Sequence, residues 1–184
     1  MASGSSANAG RSASGVPFLS TAQGVLPVQS TMDLYHTMLE NAPAQDIVIQ
    51  AAAPADYRVE NPADQKIKKQ DGENLTLTLV ENPDVAKAVG QQKKPGQVLV
   101  GFAAETQQVT ENAIKKLHKK NLDMIVANDV TAEGAGFGVD TNIVTLITEA
   151  GLKPLPKMTK RQVGDKILDE ALRIYQEKHA AMRE

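Results

Sequence analysis

The stretch QVLVGFAAE, residues 97–105, decides the fold class. It is a continuous apolar run of strand length, and such a run is typical of a strand buried on both faces of a parallel sheet. DIVIQAA at 46–52, LDMIVAND at 122–129 and NIVTLIT at 142–148 have the same character. LTLTLVE at 75–81 alternates Leu with Thr, which predicts a half-exposed strand.

Helical signals separate these strands. Helix starts are indicated by polar caps, by apolar residues at helical spacing and by a Ser/Thr-x-x-Gln capping box. The first predicted helix begins at Ser30 or Thr31, and the second begins at Asn82-Pro83 with Asn as the cap. The third covers 109–121, and the fourth begins at the capping box Thr159–Gln162. Strands and helices therefore alternate, which predicts an α/β domain. We expect a Rossmann-like three-layer sandwich with a mostly parallel sheet and helices on both sides.

Composition excludes several functional classes. The chain has 184 residues, enough for one domain, and a net charge of −2, so nothing suggests a nucleic-acid or membrane-surface partner. It contains no Cys, which excludes a disulfide, a thiolate nucleophile and a Cys-ligated metal and fits a cytoplasmic protein. No apolar run approaches the ~20 residues that span a bilayer. Residues 1–15 are rich in Ser, Gly and Ala and predict a flexible tail, followed by a folded domain at 16–184.

Two groups of lysines are candidates for an anion site. Lys66, Lys68 and Lys69 follow a Pro-rich loop, and Lys116 and Lys120 lie four residues apart in a predicted helix. Residues at that spacing point the same way, and like charges there repel each other. A solvated surface would explain these lysines, and so would an anionic ligand that relieves the repulsion.

The start of the predicted helix at Asn82 is consistent with an anion at one edge of the sheet, and Asp56 is a separate candidate. The helix start at Asn82 would present unpaired N–H groups, although a simple cap explains it equally well. Asp56 follows a buried strand, where it could hold a divalent ion or a hydroxyl, or merely form a turn. In α/β sheets ligands bind at the carboxyl ends of the strands. The loop lysines, the helix start at Asn82 and the Lys116/Lys120 pair together favour a nucleoside triphosphate.

The glycines at 134–138, GAGFG, raise the alternative of a dinucleotide-binding reductase. Their spacing does not match G-x-G-x-x-G, and a strand follows instead of a helix. The sequence also lacks the G-x-x-x-x-G-K-[ST] pattern of a P-loop. An unrelated nucleotide-cofactor protein is therefore disfavoured.

Several motifs resemble a known family. AAPADYR, KIKK, ENPDV, VGFAAET, KKLHKKNLDMIVANDV, GFGVDTN and the closing ILDEAL helix occur in the order and spacing of phosphopantothenate–cysteine ligase, over roughly residues 25–178. The resemblance implies a ligase of coenzyme A biosynthesis. Such an enzyme makes an acyl-cytidylate from 4'-phosphopantothenate and CTP, and the amine of L-cysteine then displaces CMP.

The resemblance also implies roles for individual residues. Lys66 would be catalytic and would contact the triphosphate. The CTP-binding residues would be Asp56, Lys66, Asn82, Pro83, Asp84, Val85, Phe102, Lys116 and Lys120. Mg²⁺ would accompany CTP, no protein metal site is predicted, and the protein would be a homodimer. A flavoprotein decarboxylase would be a fused or separate partner, and no FMN is expected in this chain.

One departure from the family pattern concerns the start of the chain. Complete members begin with a strand, a Gly-rich turn and a loop of the type N-x-S-S-G-x-M-G, which this sequence lacks. We therefore expect an N-terminally incomplete domain without the first strand and Gly-rich loop. The alternative function is a non-catalytic CTP-binding fragment, or a regulatory or interaction subunit with the same fold.

Overall fold

The computed structural model describes residues 24–69, 74–105, 109–129 and 138–183. The predicted tail at 1–15 lies outside them. The helices are α1 (Thr31–Asn41), α2 (Val85–Gln91), α3 (Val109–Lys119) and α4 (Lys160–Ala181), with a short 3-10 helix at Ala42–Ala44. The strands are β1 (Ile47–Gln50), β2 (Tyr57–Val59), β3 (Leu79–Glu81), β4 (Val98–Glu105), β5 (Met124–Asp129), β6 (Thr141–Asn142), β7 (Val144–Thr148), β8 (Gly151–Pro154) and β9 (Met158–Thr159).

A mixed five-stranded sheet in the order β1-β4-β5-β7-β8 forms the centre of the domain. β1, β4 and β5 are parallel, whereas β7 and β8 run antiparallel to their neighbours. A two-residue turn joins β7 to β8, and so short a connection permits antiparallel pairing alone. The predicted α/β class is confirmed. The antiparallel half and β8 were not predicted.

Helices cover both faces of this sheet. Successive residues of a strand point to opposite faces, so alternate residues pack against different helices. In β4, Leu99 and Ala103 pack into a cluster with residues of α2 and α3. Val98 and Val100 pack into a second cluster with residues of α4. The three-layer arrangement predicted from the sequence is therefore confirmed.

Helix starts were predicted well where the cap is local. Ser30 caps α1, and Thr159 with Gln162 forms the capping box of α4. The predicted start of α2 is wrong by two residues, because the cap is Asp84, whose carboxylate accepts a hydrogen bond from the backbone N–H of Lys87 at 3.1 Å.

The predicted strand at 75–81 is also wrong in extent. β3 covers Leu79–Glu81 and pairs with the equally short β2 in an antiparallel ribbon outside the main sheet. One more backbone bond, from Glu60 to Thr78, extends the pairing. Pro62 then follows in the partner segment, and it has no N–H to donate.

Asp123 holds three elements together at the amino edge of the sheet. Its carboxylate accepts hydrogen bonds from Lys93 at 2.9 Å, from Lys178 of α4 at 2.5 Å and from the backbone N–H of Leu99 at 2.7 Å. Burial lowers the pKa of Lys93, and its hydrogen bond to Asp123 opposes that shift. This carboxylate is the point where α4, β4 and the α2–β4 connection meet.

Candidate functional site

A cavity of about 400 Å³ opens at the carboxyl ends of β1 and the strands beside it. This is the edge at which α/β sheets bind ligands. The residues that line it come from β1 and the segment after it, from β4, β5 and β6, and from helices on both faces of the sheet. They include Gln50, Ala51, Ala52, Ala53, Pro54, Ala86, Phe102, Ala103, Ala104, Lys116, Lys120, Asn128, Asn142 and Val163.

The cavity wraps around the sheet edge and therefore has two sides. Gln50 lies two residues after Val48, whose side chain is in the cluster with α2 and α3. Phe102 lies two residues after Val100, whose side chain is in the cluster with α4. Gln50 is thus on the α3 side, and Phe102, which is 40% exposed, is on the α4 side.

Lys116 of α3 and Lys120, the residue that follows α3, both reach the cavity. Ala113 and Leu117 are buried and fix the face of α3 that packs on the sheet. α3 follows β4 and precedes the parallel strand β5, so its N-terminus is at the carboxyl edge. Side chains lean toward the N-terminus of their helix, which directs Lys116 to that edge. The ammonium group of Lys120 is held there by Asp84, the N-cap of α2. Both ammonium groups therefore belong to the α3 side of the cavity.

Lys120 is held in place by contacts with α2. Its ammonium group forms an ion pair with Asp84 at 3.0 Å. A Cβ on Gly90 would overlap the carbonyl oxygen of Lys120, so the two backbones are in direct contact. Asn121, at φ 52°, donates from its side chain to the carbonyl of Gly90 at 2.8 Å. The base of Lys120 is thus fixed against α2 while its tip points to Asp84.

The Asn82 turn lines a neighbouring hollow instead of this cavity. That hollow measures about 600 Å³ and includes Asn82, Pro83 and Asp84. The side chain of Asn82 donates to the carbonyl of Ala55 at 2.8 Å, and Arg58, which the sequence analysis did not single out, donates to Asn82 at 3.2 Å. The Asp84–Lys120 ion pair links the two concavities.

Four predicted site features stand apart from the cavity. Val85 is 1% exposed and faces the core. The carboxylate of Asp84 already occupies the N-terminus of α2, which favours the simple cap over an anion site there. Asp56 and Lys66 are exposed and line neither concavity among the described residues. The structure therefore places Phe102, Lys116 and Lys120 around one cavity, and Lys66 does not line that cavity.

Two buried amide oxygens in the cavity have no hydrogen-bond donor among the described residues. They are Oε1 of Gln50 and Oδ1 of Asn128. Asn128 follows Val126 by two residues and so lies on the α4 side, opposite Gln50. Sequence reasoning missed both, although each is a polar residue at the end of an otherwise apolar strand.

Neither a metal-binding cluster nor a membrane-spanning helix is found among the described residues. Within residues 24–69, 74–105, 109–129 and 138–183, no group of three His, Asp or Glu is placed to hold a metal ion. None of the helices in those ranges combines the length and the apolar character needed to cross a bilayer.

Comparison with known proteins identifies the family. Residues 14–175 match the model of the DNA/pantothenate metabolism flavoprotein C-terminal domain. The coenzyme A biosynthesis bifunctional protein CoaBC of Bacillus subtilis is 52% identical over 146 residues, which are 79% of this chain and 36% of that protein. CoaBC of Escherichia coli K12 is 40% identical over 154 residues, 83% of this chain and 38% of that protein. The chain thus spans well under half of these curated relatives.

Solved structures agree with this result. The crystal structure of the C-terminal domain of CoaBC superposes with a TM-score of 0.65 at 38% identity, covering 82% of this chain and 67% of that one. A mutant of Cab2 in complex with phosphopantothenate-cysteine has the same fold, with a TM-score of 0.68 at 14% identity, over 86% of this chain and 55% of that one. From its sequence and its fold, this chain belongs to the family of the DNA/pantothenate metabolism flavoprotein C-terminal domain.

Proposed function

We propose that this chain carries the ligase function of coenzyme A biosynthesis, joining 4'-phosphopantothenate to L-cysteine through an acyl-cytidylate made from CTP. The observation that carries the proposal is the two-sided cavity. It offers two ammonium groups on the α3 side and an aromatic ring on the α4 side. A nucleoside triphosphate has a matching division between its anionic chain and its flat base.

The chemistry of the two sides supports a nucleotide. Lys116 and Lys120 would neutralise the phosphates, and positive charge fixed in a cleft also stabilises the charge that develops during transfer. The exposed ring of Phe102 offers a surface on which a base can stack. Mg²⁺ would arrive with CTP as the counterion of its phosphates.

Lys66 is assigned the role of closing over the triphosphate. It lies in the exposed segment 66–69, which has no regular secondary structure. Loop closure that excludes water and completes a catalytic site is common among enzymes. We propose the same here, so that Lys66 reaches the cavity when the nucleotide is bound. A homodimer and a fused or separate flavoprotein decarboxylase complete the proposal.

Ligand-dependent melting tests the nucleotide. A ligand that binds the folded state raises the melting temperature according to its concentration relative to Kd. Mg²⁺ with CTP should raise the melting temperature more than Mg²⁺ with ATP at the same concentration. Equal shifts for all nucleotides would reject the specificity for cytosine.

Pyrophosphate release from CTP and 4'-phosphopantothenate tests catalysis. We expect release by the wild-type chain and its loss in Lys66→Gln, with an unchanged melting temperature because Lys66 is exposed. Normal CTP binding without any release from the wild type would favour the non-catalytic alternative.

A further inference from the structure

The amide of Gln50 lies in the cavity with a buried oxygen that no described residue pairs. Oε1 of Gln50 is shielded from solvent and receives no hydrogen bond from residues 24–69, 74–105, 109–129 or 138–183. Buried polar groups in folded proteins are almost always paired, so an exception needs a physical reason. Leaving an acceptor unpaired costs stability, because the group has lost its water and gained nothing in return.

The position of Gln50 limits what could pair with it. It ends β1 opposite Gly101 of β4, on the same side of the sheet as α3. Lys116 and Lys120 line the same cavity from that side. An anion bound by the lysines has no hydrogen to give to Gln50. A ligand can pair with Gln50 only through an O–H or N–H group outside its anionic part.

We propose that Gln50 is a specificity-determining residue that accepts a hydrogen bond from the nucleoside part of the bound nucleotide. This inference rests on the proposed function, since it takes the ligand to be CTP. Cytidine offers three uncharged donors in its triphosphate, namely the 2′ hydroxyl, the 3′ hydroxyl and the 4-amino group. Polyphosphate alone would satisfy the lysines and leave Gln50 unpaired.

The substitution Gln50→Met separates recognition from folding. Met has a similar length and no hydrogen-bonding amide, so it fills the space without the unpaired oxygen. The free protein should then melt about 2–4 °C higher, because the penalty for the buried acceptor is gone. CTP should bind on the order of tenfold more weakly, because one hydrogen bond to the ligand is lost. Gain of stability with loss of affinity is what a ligand-binding group produces and a structural one does not.

Calorimetric titration of the full chain tests this with five probes, each with Mg²⁺. They are CTP, tripolyphosphate, UTP, and the two deoxy forms of CTP, which lack the 2′ or the 3′ hydroxyl and are titrated separately. Gln50→Met should weaken CTP and leave tripolyphosphate unchanged. The analogue that binds the wild type more weakly than CTP, yet binds Gln50→Met as CTP does, identifies the donor. Gln92→Met, at an exposed glutamine outside both concavities, is the matched control and should change nothing.

Three results would overturn the inference while leaving the proposed function intact. These are unchanged CTP binding by Gln50→Met, equal weakening of CTP and tripolyphosphate, and wild-type binding that is the same for CTP and all of its analogues. A lower melting temperature for Gln50→Met would also overturn it, because Gln50 would then serve the fold. If the wild type binds neither CTP nor tripolyphosphate, the proposed function itself fails.

Discussion

Replacing Asp123 by Asn should destabilise the fold more than any exposed substitution. The side chains of Lys93 and Asp123 are 9% and 11% exposed, so the change leaves an ammonium group buried without its counterion. Breaking a buried pair in this way costs about 3–5 kcal/mol. The free energy of unfolding should fall by about 3 kcal/mol, the lower end of that range, because Lys93 keeps a hydrogen bond to the carbonyl of Asn121. The melting temperature should then fall by about 6–12 °C for a domain of this length.

Thermal unfolding followed by circular dichroism measures this change. The double variant Asp123→Asn/Lys93→Met should recover at least half of the loss, because the less exposed ammonium group is gone. Asp165→Asn is the control. It breaks an exposed pair with Arg161 and should shift the melting temperature by less than about 2 °C. A fall of less than about 2 °C for Asp123→Asn would refute the reasoning.

The pH dependence of Asp123→Asn provides a second check. Burial lowers the pKa of Lys93 below its ordinary value of 10.5, and the carboxylate of Asp123 opposes this. Without the carboxylate, the folded state binds a proton at Lys93 less readily than the unfolded chain does, so stability rises with pH. The deficit in melting temperature should shrink between about pH 7 and about pH 10. A deficit that grows over this range would contradict the assignment.

Three other substitutions follow from local geometry. Gly164→Ala should raise the free energy of unfolding by about 0.5–1 kcal/mol, because Gly164 is inside α4 and a Cβ there meets nothing within 4 Å. Gly90→Ala should lower the melting temperature and weaken tripolyphosphate binding, because the added Cβ would displace the turn at Lys120; unchanged binding would show that this contact does not position Lys120. Hydrogen bonding from Lys153 is the main cause of the lowered pKa of Glu170, so stability is lost as pH falls below about 4.5, and a melting curve series should show a flatter acid limb for Glu170→Gln.

Local signals in the sequence were sufficient for much of this fold. Ser30 and Thr159 were recognisable as caps because their partners lie three residues away in the chain. The start of α2 was not, because Asn82 is engaged by Ala55, 27 residues upstream, which leaves capping to Asp84. Local sequence patterns do not reveal a hydrogen-bond partner so distant in the chain.

The candidate site was predictable in the same uneven way. Lys116 and Lys120 could be paired in advance, because helical periodicity alone sets their common direction. The role of Gln50 could not, since whether a buried amide finds a donor depends on packing between elements that are remote in the chain. The antiparallel β8 was missed for a different reason, as Gly151 and Pro154 are residues that weaken a strand signal.

The ion pair between Lys120 and Asp84 means that an anionic ligand competes with a carboxylate of the protein for Lys120. A bound anion has to replace the carboxylate of Asp84, which lies 3.0 Å from the ammonium group of Lys120. A chain of three phosphates has enough charge to do so and still engage Lys116, whereas a single phosphate gains far less from the exchange. In the proposed reaction, CMP would leave a single phosphate in the cavity, so Asp84 would pair with Lys120 again and CMP would dissociate.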